Sequence, residues 1–298
     1  MAGVSPENLL RRPLTAQKCS LGCPLLDRCL GGGVPCNSVT ELVAESGSGK
    51  TQLCLQLSLS AQLPPSRGGL SASSLFLHSE FPFPLRRLEQ LCLAFCGLHS
   101  IGEFNPLDNV FVRAAHSADQ LLDEMPQIES FLSEPKSRFP VRVIVIDSIA
   151  ALFRSEFDNT PFDLKRRSSL FFKISGKLKS LAKRFDLAVV VTNQVVDFMG
   201  ENGGMNGLRI GNLKYLYSSG RRVCPALGLA WANCVNSRLF LSRNEEVVAE
   251  ENSSVNVGNG DTLRRQTRRR LYVLFAPHLP ESSTEFVIRR EGVFGVDR

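Results

Sequence analysis

The segment AESGSGKT, residues 44–51, constrains the fold of this chain more than any other feature. It follows a short β-branched run, VTELV (39–43), and precedes QLCLQLSLSAQL (52–63), where apolar residues recur at helical spacing. A glycine-rich loop between a strand and a helix lets backbone N–H groups and the positive end of the helix dipole face an anion. The segment therefore predicts an α/β unit with a phosphate-binding loop, and the alternative is a glycine-rich turn with a surface lysine.

The strand-then-helix order repeats along the first two thirds of the chain. Further strands are expected over residues 74–79, 109–114, 141–147 and 187–193, and further helices over 85–95, 119–131 and 170–185. VRVIVID and LAVVVTN are almost wholly apolar, which is typical of strands buried on both faces. Alternating strands and helices predict the α/β class, with a mostly parallel sheet covered by helices on both faces.

The pattern changes after Gln194. Residues 197–222 are rich in glycine and residues 244–261 are polar, so both segments are expected to form long flexible loops. Alternating sequences that favour antiparallel strands lie at 237–242, 269–277 and 284–290. We therefore expect one domain over residues 19–298, after a short N-terminal tail or linker at 1–18, with antiparallel strands added at the C-terminal end of the sheet.

Composition excludes several classes of protein. At 43% hydrophobic and 21% charged residues, the chain is suited to a folded core and not to a disordered or collagen-like state. No apolar run reaches the roughly 18 residues that a membrane helix needs, and the N-terminus lacks the apolar segment of a secretory signal. No membrane association is expected, and the cytosol or nucleus is the expected compartment.

Nine cysteines without a secretory signal indicate reduced thiols. The group Cys19, Cys23, Cys29 and Cys36 is spaced unlike the paired ligands of structural zinc sites. Cys92 and Cys96 fall on an apolar helical stripe near His99, where cysteine acts as a small core residue. No metal site is predicted from the cysteines.

Two side chains of the loop are expected to act on a nucleotide. Lys50 would reach the β- and γ-phosphates, and the Thr51 hydroxyl would hold Mg²⁺. The first position is Ala44 where the strict motif has glycine, so the motif is the relaxed form. The residues expected to bind the cofactor are Ala44, Glu45, Ser46, Gly47, Ser48, Gly49, Lys50 and Thr51.

Polar side chains follow three other predicted strands. Asp147 ends VRVIVID and is expected to bind Mg²⁺, although it could instead cap the next segment. Glu80 follows SLFLHS and can orient water, and Asn193 with Gln194 closes LAVVVTN, where amides can sense the γ-phosphate. Because the carboxyl ends of parallel strands share one edge, these groups are expected to face one crevice.

The order VTELVAESGSGKTQL, SLFLHSE, VIVIDSIAALFR and VVVTNQV resembles the RecA-like recombinase family, and more narrowly its eukaryotic recombinase paralogues. The resemblance covers about residues 19–298. It implies a RecA-like ATPase core that uses ATP and Mg²⁺, with Lys50, Glu80 and Gln194 as catalytic positions. It also implies a nuclear role in homologous recombination and DNA double-strand break repair, with single-stranded or branched DNA, another paralogue and the strand-exchange recombinase as partners.

The resemblance also implies two DNA-facing loops, at 159–169 and in the glycine-rich segment after Gln194. Arg166, Arg167, Arg221 and Arg222 are the candidates for DNA contact. Residues 1–140 hold 11 basic and 13 acidic residues, whereas residues 141–298 hold 24 and 16, a distribution that suits a polyanion partner. The alternative is that these arginines are solvated loop charges while a partner subunit holds the DNA. The run RRQTRRR (264–270) is equally suited to nuclear import, DNA contact or protection of an edge strand.

Departures from the family pattern bear on activity. Asn233 stands where the active recombinases present a histidine to a neighbour, and Phe275 stands where they have an aspartate. Few residues precede the core, and no Phe-x-x-Ala subunit-joining motif is found. We therefore expect ATP binding with weak or partner-dependent hydrolysis in a heteromeric complex. The runner-up is a self-sufficient DNA-dependent ATPase that forms its own filament or ring, and a small-molecule kinase fits poorly.

Overall fold

Apolar strands that end in polar residues build a nine-stranded sheet, and two smaller sheets flank it. The computed structural model describes residues 17–80, 82–102, 104–134, 139–154, 157, 160–198, 216–249 and 263–297. The strands are β1 (Lys18–Cys19), β2 (Val34–Pro35), β3 (Ser38–Ala44), β4 (Ser73–His78), β5 (Val110–Ala114), β6 (Val141–Asp147), β7 (Ala188–Asn193), β8 (Val195–Asp197), β9 (Leu216–Ser218), β10 (Arg221–Pro225), β11 (Ser237–Ala249), β12 (Leu263–Phe275), β13 (Ser283–Ile288) and β14 (Val293–Val296). The helices are α1 (Pro24–Cys29), α2 (Lys50–Ser60), α3 (Leu85–His99), α4 (Ala118–Ser133), α5 (Pro161–Phe185) and α6 (Gly228–Ala232).

The large sheet has the order β14-β13-β12-β11-β3-β7-β6-β4-β5. The strands from β11 to β5 run parallel to their neighbours in this order. The remaining pairs, β11–β12, β12–β13 and β13–β14, are antiparallel. The predicted α/β class is confirmed, including the antiparallel strands at the C-terminal end.

Side chains of the parallel strands alternate between two cores. In β6, Val143 and Val145 belong to the core under α1, α2 and α3, while Ile144 and Ile146 belong to the core under α4, α5 and α6. All four are at most 1% exposed. Helices therefore cover both faces of the sheet, as the continuous apolar runs predict.

The predicted loop at 159–169 is wrong from residue 161 onward. Helix α5 begins at Pro161, and the Thr160 hydroxyl accepts a hydrogen bond from the Asp163 N–H at 3.1 Å. Thr160 also donates to the Asp163 carboxylate at 2.8 Å. A threonine cap, proline at the first helical position and an acid in the first turn are standard helix-start signals.

The two predicted flexible loops are wrong at their ends. Strands β8, β9 and β10 form a three-stranded antiparallel sheet that includes both ends of the 197–222 segment. Strand β11 continues to Ala249, well beyond residue 244, and pairs with β12 along its length. Residues 199–215 and 250–262, at the centres of these segments, lie outside the described residues, as does most of the 1–18 tail.

All nine cysteines are free thiols, as expected, and most are buried. Within the described ranges, no three side chains among His, Cys, Asp and Glu form a metal-binding group. None of the helices described is both long enough and apolar enough to cross a bilayer.

Candidate nucleotide site

The phosphate loop connects β3 to α2 at the centre of the large sheet. Gly47 and Gly49 have positive φ values of 76° and 105°, which only glycine adopts without strain. A Cβ on Gly49 would lie 2.7 Å from Ile288 Cδ1. No side chain caps α2, so its first N–H groups are available to an anion, and the loop has the form that phosphate binding requires.

The Lys50 side chain folds back onto the loop. Its Nζ donates hydrogen bonds to the carbonyl oxygens of Ala44, at 2.7 Å, and Glu45, at 3.0 Å. Burial lowers the pKa of Lys50, while the negative charges of Asp147 and Glu80 act in the opposite direction. The ammonium group is thus held at the loop by weak carbonyl partners, which phosphate oxygens can replace.

Thr51 and Asp147 meet as predicted. The Thr51 hydroxyl donates to Asp147 Oδ2 at 2.5 Å, and the Thr192 hydroxyl donates to Asp147 Oδ1 at 2.6 Å. Carboxylate and hydroxyl oxygens are ligands that Mg²⁺ prefers, and phosphate and water oxygens commonly complete its shell. The donor set therefore fits Mg²⁺. Thr192 has no signal in the sequence beyond its place at the end of β7.

Glu80 and Gln194 also meet. Gln194 Nε2 donates to Glu80 Oε1 at 2.7 Å. Arg154 forms an ion pair with Glu80 at 3.1 Å and donates to the Gln194 side-chain oxygen. Arg154 lies just after the short 3₁₀ turn Ala151–Phe153 that follows β6. Arg154 is not a site residue that the sequence predicts, because its place beside Glu80 depends on tertiary structure.

Asn193 does not face this crevice, so the prediction that it senses phosphate beside Gln194 is wrong. Its side chain is fully buried and donates to Glu41 Oε1 at 2.7 Å. Glu41 also forms a buried ion pair with Arg238 on β11. Burial raises the pKa of Glu41, although the charge of Arg238 opposes that shift. Local sequence patterns do not predict this pair, since Glu41 is a single polar residue within a short strand.

The four candidate DNA contacts have protein partners. Arg166 pairs with Asp119 on α4. Arg167 donates to the Ala226 carbonyl at 3.5 Å and stacks over Phe171, with 5.3 Å between guanidinium and ring centre. Arg221 pairs with Asp197 at 2.9 Å and with Glu45 at 3.2 Å, and Arg222 is exposed on the same strand. Arg166 and Arg167 lie in α5 and not in a loop.

The basic run 264–270 lies in β12. Arg268 pairs with Glu246 at 2.8 Å, and Arg270 pairs with Glu285 at 2.6 Å. Two nitrogens of Arg269 donate to the Gly47 carbonyl, each at 3.3 Å. Because Arg269 and Arg270 pair with both β11 and β13, protection of an edge strand does not account for them.

Two positions that depart from the recombinase pattern lie on the same side of the sheet. Asn233 is the C-terminal cap of α6. Phe275 is half-buried at the end of β12, and the Arg238 guanidinium lies 5.6 Å above its ring centre. The Phe275 ring thus faces Arg238, one member of the buried ion pair, and carries no acidic group.

A central phosphate loop lies beside parallel strands, one of which ends in Asp147 while two others are followed by Glu80 and Gln194. This arrangement defines a nucleotide-binding domain of the RecA-like class. The sequence model of the Rad51 family matches residues 14–210 of this chain. The chain belongs to the Rad51 family.

Several relatives match nearly the whole chain. It is 59% identical over 297 residues to the DNA repair protein XRCC3 homolog of Arabidopsis thaliana, which covers 98% of both chains. It is 36% identical over 290 residues to the DNA repair protein XRCC3 of Mus musculus, covering 95% of this chain and 77% of the relative. The Bos taurus protein of that name gives 36% identity over 290 residues, with 95% and 76% covered.

Proposed function

We propose that this protein binds ATP and acts in DNA repair by homologous recombination, as a nuclear Rad51-family paralogue within a heteromeric complex on DNA. The observation that carries the proposal is the convergence of Lys50, Thr51, Asp147, Glu80 and Gln194 at one edge of the sheet. The names of the relatives, which are DNA repair proteins, support the same role.

Each group in the crevice has a chemical task in this proposal. Lys50 binds the β- and γ-phosphates, and Thr51 with Asp147 holds Mg²⁺, which neutralises phosphate charge when bound. Glu80 orients water for attack on the γ-phosphate, and Gln194 senses that phosphate through its amide. The 2.7 Å contact between Gln194 and Glu80 supports their action as one unit.

The side chains that would face a neighbouring subunit, at positions 233 and 275, support a heteromeric complex. Asn233 and Phe275 bring neither the cationic nor the acidic group that the recombinase resemblance would require there. Hydrolysis by the lone chain is therefore expected to be slow, because transition-state charge on the γ-phosphate would lack a partner. The other candidate, a self-sufficient DNA-dependent ATPase, draws support from Arg154, which already lies beside Glu80 and Gln194.

ATP turnover separates the two candidates. The purified chain and the chain co-expressed with a second paralogue are compared with and without single-stranded DNA, with Glu80→Gln as the matched control. Slow turnover by the lone chain that rises at least tenfold with the partner supports the paralogue complex. Fast, DNA-stimulated turnover by the lone chain, abolished by Glu80→Gln, would establish the alternative.

A further inference from the structure

Glu45, the second residue of the phosphate loop, is held by the turn between β9 and β10. Ser218 Oγ donates to Glu45 Oε1 at 2.7 Å, Ser219 Oγ donates to the same oxygen, and Arg221 Nη2 donates to Oε2 at 3.2 Å. The Glu45 side chain is only 11% exposed. Burial acts to raise the pKa of this carboxyl, but the hydrogen bonds from Ser219, Ser218 and Arg221 bring it below its usual value.

The same turn is fixed to β11. The Ser219 N–H donates to the Arg243 carbonyl at 2.6 Å, and the Arg243 N–H donates to Ser218 Oγ at 2.9 Å. The Arg243 side chain in turn packs on the loop, since a Cβ on Gly47 would lie 2.6 Å from Arg243 Nη1. The turn, β11 and the phosphate loop therefore form one connected unit.

Arg221 joins this unit to a third element. Its Nη1 donates to both oxygens of Asp197, at 2.9 and 3.1 Å. Asp197 ends β8, the strand that begins directly after Gln194. One guanidinium thus bridges two carboxylates, one in the phosphate loop and one three residues beyond Gln194.

We propose that Glu45 is a positioning residue for the phosphate loop, with Arg221 as its charge partner, so that nucleotide binding alters the turn between β9 and β10. The inference rests on the proposed binding of ATP. A carboxylate beside a triphosphate raises the electrostatic cost of binding unless a cation neutralises it. Arg221 supplies that cation, and the two serine hydroxyls keep the carboxylate turned toward the small sheet.

The affinity for MgATP tests the electrostatic part. Arg221→Ala leaves the Glu45 carboxylate without its cationic partner and is expected to weaken MgATP binding about fivefold. This is the effect of one uncompensated negative charge that acts on the phosphates over ~8 Å at a dielectric constant of ~40. Adding Glu45→Gln to Arg221→Ala removes that charge, while the glutamine oxygen can still accept hydrogen bonds from the Ser218 and Ser219 hydroxyls. The double variant is expected to recover wild-type affinity within about twofold. A merely structural contact would leave the double variant as weak as Arg221→Ala or weaker.

A spectroscopic signal tests the positioning part. Tyr217→Trp adds an indole on β9, next to Ser218, while the single native tryptophan, Trp231, is buried and supplies a measurable background. MgATP is expected to change the emission of the added indole, and Glu45→Ala in the same background is expected to abolish that change. Glu129→Ala is the matched control, since it removes a carboxylate from an exposed ion pair with Arg184 and should keep the change.

Calorimetry with MgATP separates this inference from the function on which it rests. Absence of MgATP binding by the wild-type chain rejects both. Wild-type binding with an emission change that survives Glu45→Ala rejects the positioning role of Glu45 alone. Failure of the double variant to recover affinity rejects the charge pairing with Arg221.

Discussion

The parallel and antiparallel parts of the large sheet stabilise their strands in different ways. In the parallel part, strands such as β6 are buried on both faces by apolar side chains, and polar groups occur at the strand ends. In the antiparallel part, β12 carries Arg268, Arg269 and Arg270 along its length, and each has a partner on a neighbouring element. The parallel part places the polar groups of the candidate site at one edge, while the antiparallel part reaches that edge with the long cationic side chain of Arg269.

The nucleotide site depends on both parts of the sheet. Lys50 and Asp147 belong to the parallel part, yet Arg269 from β12 binds the Gly47 carbonyl, and Arg243 from β11 packs on the same residue. The two parts meet where β11 pairs with β3, and the buried Glu41–Arg238 ion pair crosses that junction. Substitutions at the junction, in each part and at the surface should therefore have effects of different size on stability and binding affinity.

The largest effect is expected at the junction. Arg238→Met leaves the Glu41 carboxylate buried without its cation, so the free energy of unfolding should fall by about 3–5 kcal/mol. Denaturant unfolding of the wild type and the variant measures this loss. Glu41→Gln combined with Arg238→Met should recover at least half of it, because no charge then remains buried. No loss in the single variant would show that the two parts are not joined by this pair.

The next effect concerns the parallel part alone. Lys50→Ala removes a charged donor that can bind phosphate, so MgATP affinity should fall by about 2 kcal/mol, or roughly 30-fold. Equilibrium titration with a fluorescent ATP analogue measures it. The variant should unfold at the wild-type denaturant concentration, and unchanged affinity would contradict the assignment of the loop.

A smaller effect is expected for DNA. Each arginine that neutralises a phosphate should flatten the log–log salt dependence of single-stranded DNA affinity by about 0.7 when it is changed to alanine. Arg221→Ala should flatten it by less than this, because Arg221 already bridges Asp197 and Glu45. Salt titrations of the heteromeric complex compare these variants with one in which Arg166, Arg167, Arg221 and Arg222 are all alanine. Identical slopes would remove this chain from the DNA contact surface.

The smallest effect is expected for an ion pair within the antiparallel part. Arg270→Ala breaks the contact with Glu285, and because the Arg270 side chain is 44% exposed, the stability loss should be only about 0.5 kcal/mol. The loss should shrink further in high salt. A loss as large as that for Arg238→Met would show that the outer strands are stabilised like the core.

Most of the parallel part could be predicted from the sequence, because burial on both faces leaves a simple apolar pattern. The predicted strand at 141–147 matches β6 residue for residue, and Lys50, Thr51 and Asp147 converge as strand order requires. Helix α5 was predicted too short. Thr160, Pro161 and Asp163 are helix-start signals that mark its first turn. The loop expected at 159–169 from the family resemblance took precedence over those signals.

The antiparallel part and the small sheet were harder to predict for a physical reason. Their strands are stabilised by pairings between distant residues, such as Glu246 with Arg268, and polar sequences of that kind resemble loops. Arg154, Thr192 and the Glu41–Arg238 pair were missed in the same way. Each gains its role from a contact across the fold, and a single sequence does not encode such contacts in local spacing.

The position of β3 in the sheet determines how late in synthesis this strand can pair with its two neighbours. Its neighbours β7 and β11 begin at residues 188 and 237, whereas β3 itself begins at residue 38. A nascent chain released only as far as α4 therefore carries an apolar strand with both hydrogen-bonding edges open. Until β11 has left the ribosome, at least one edge of β3 lacks its native partner, and unpaired strand edges of this kind favour aggregation.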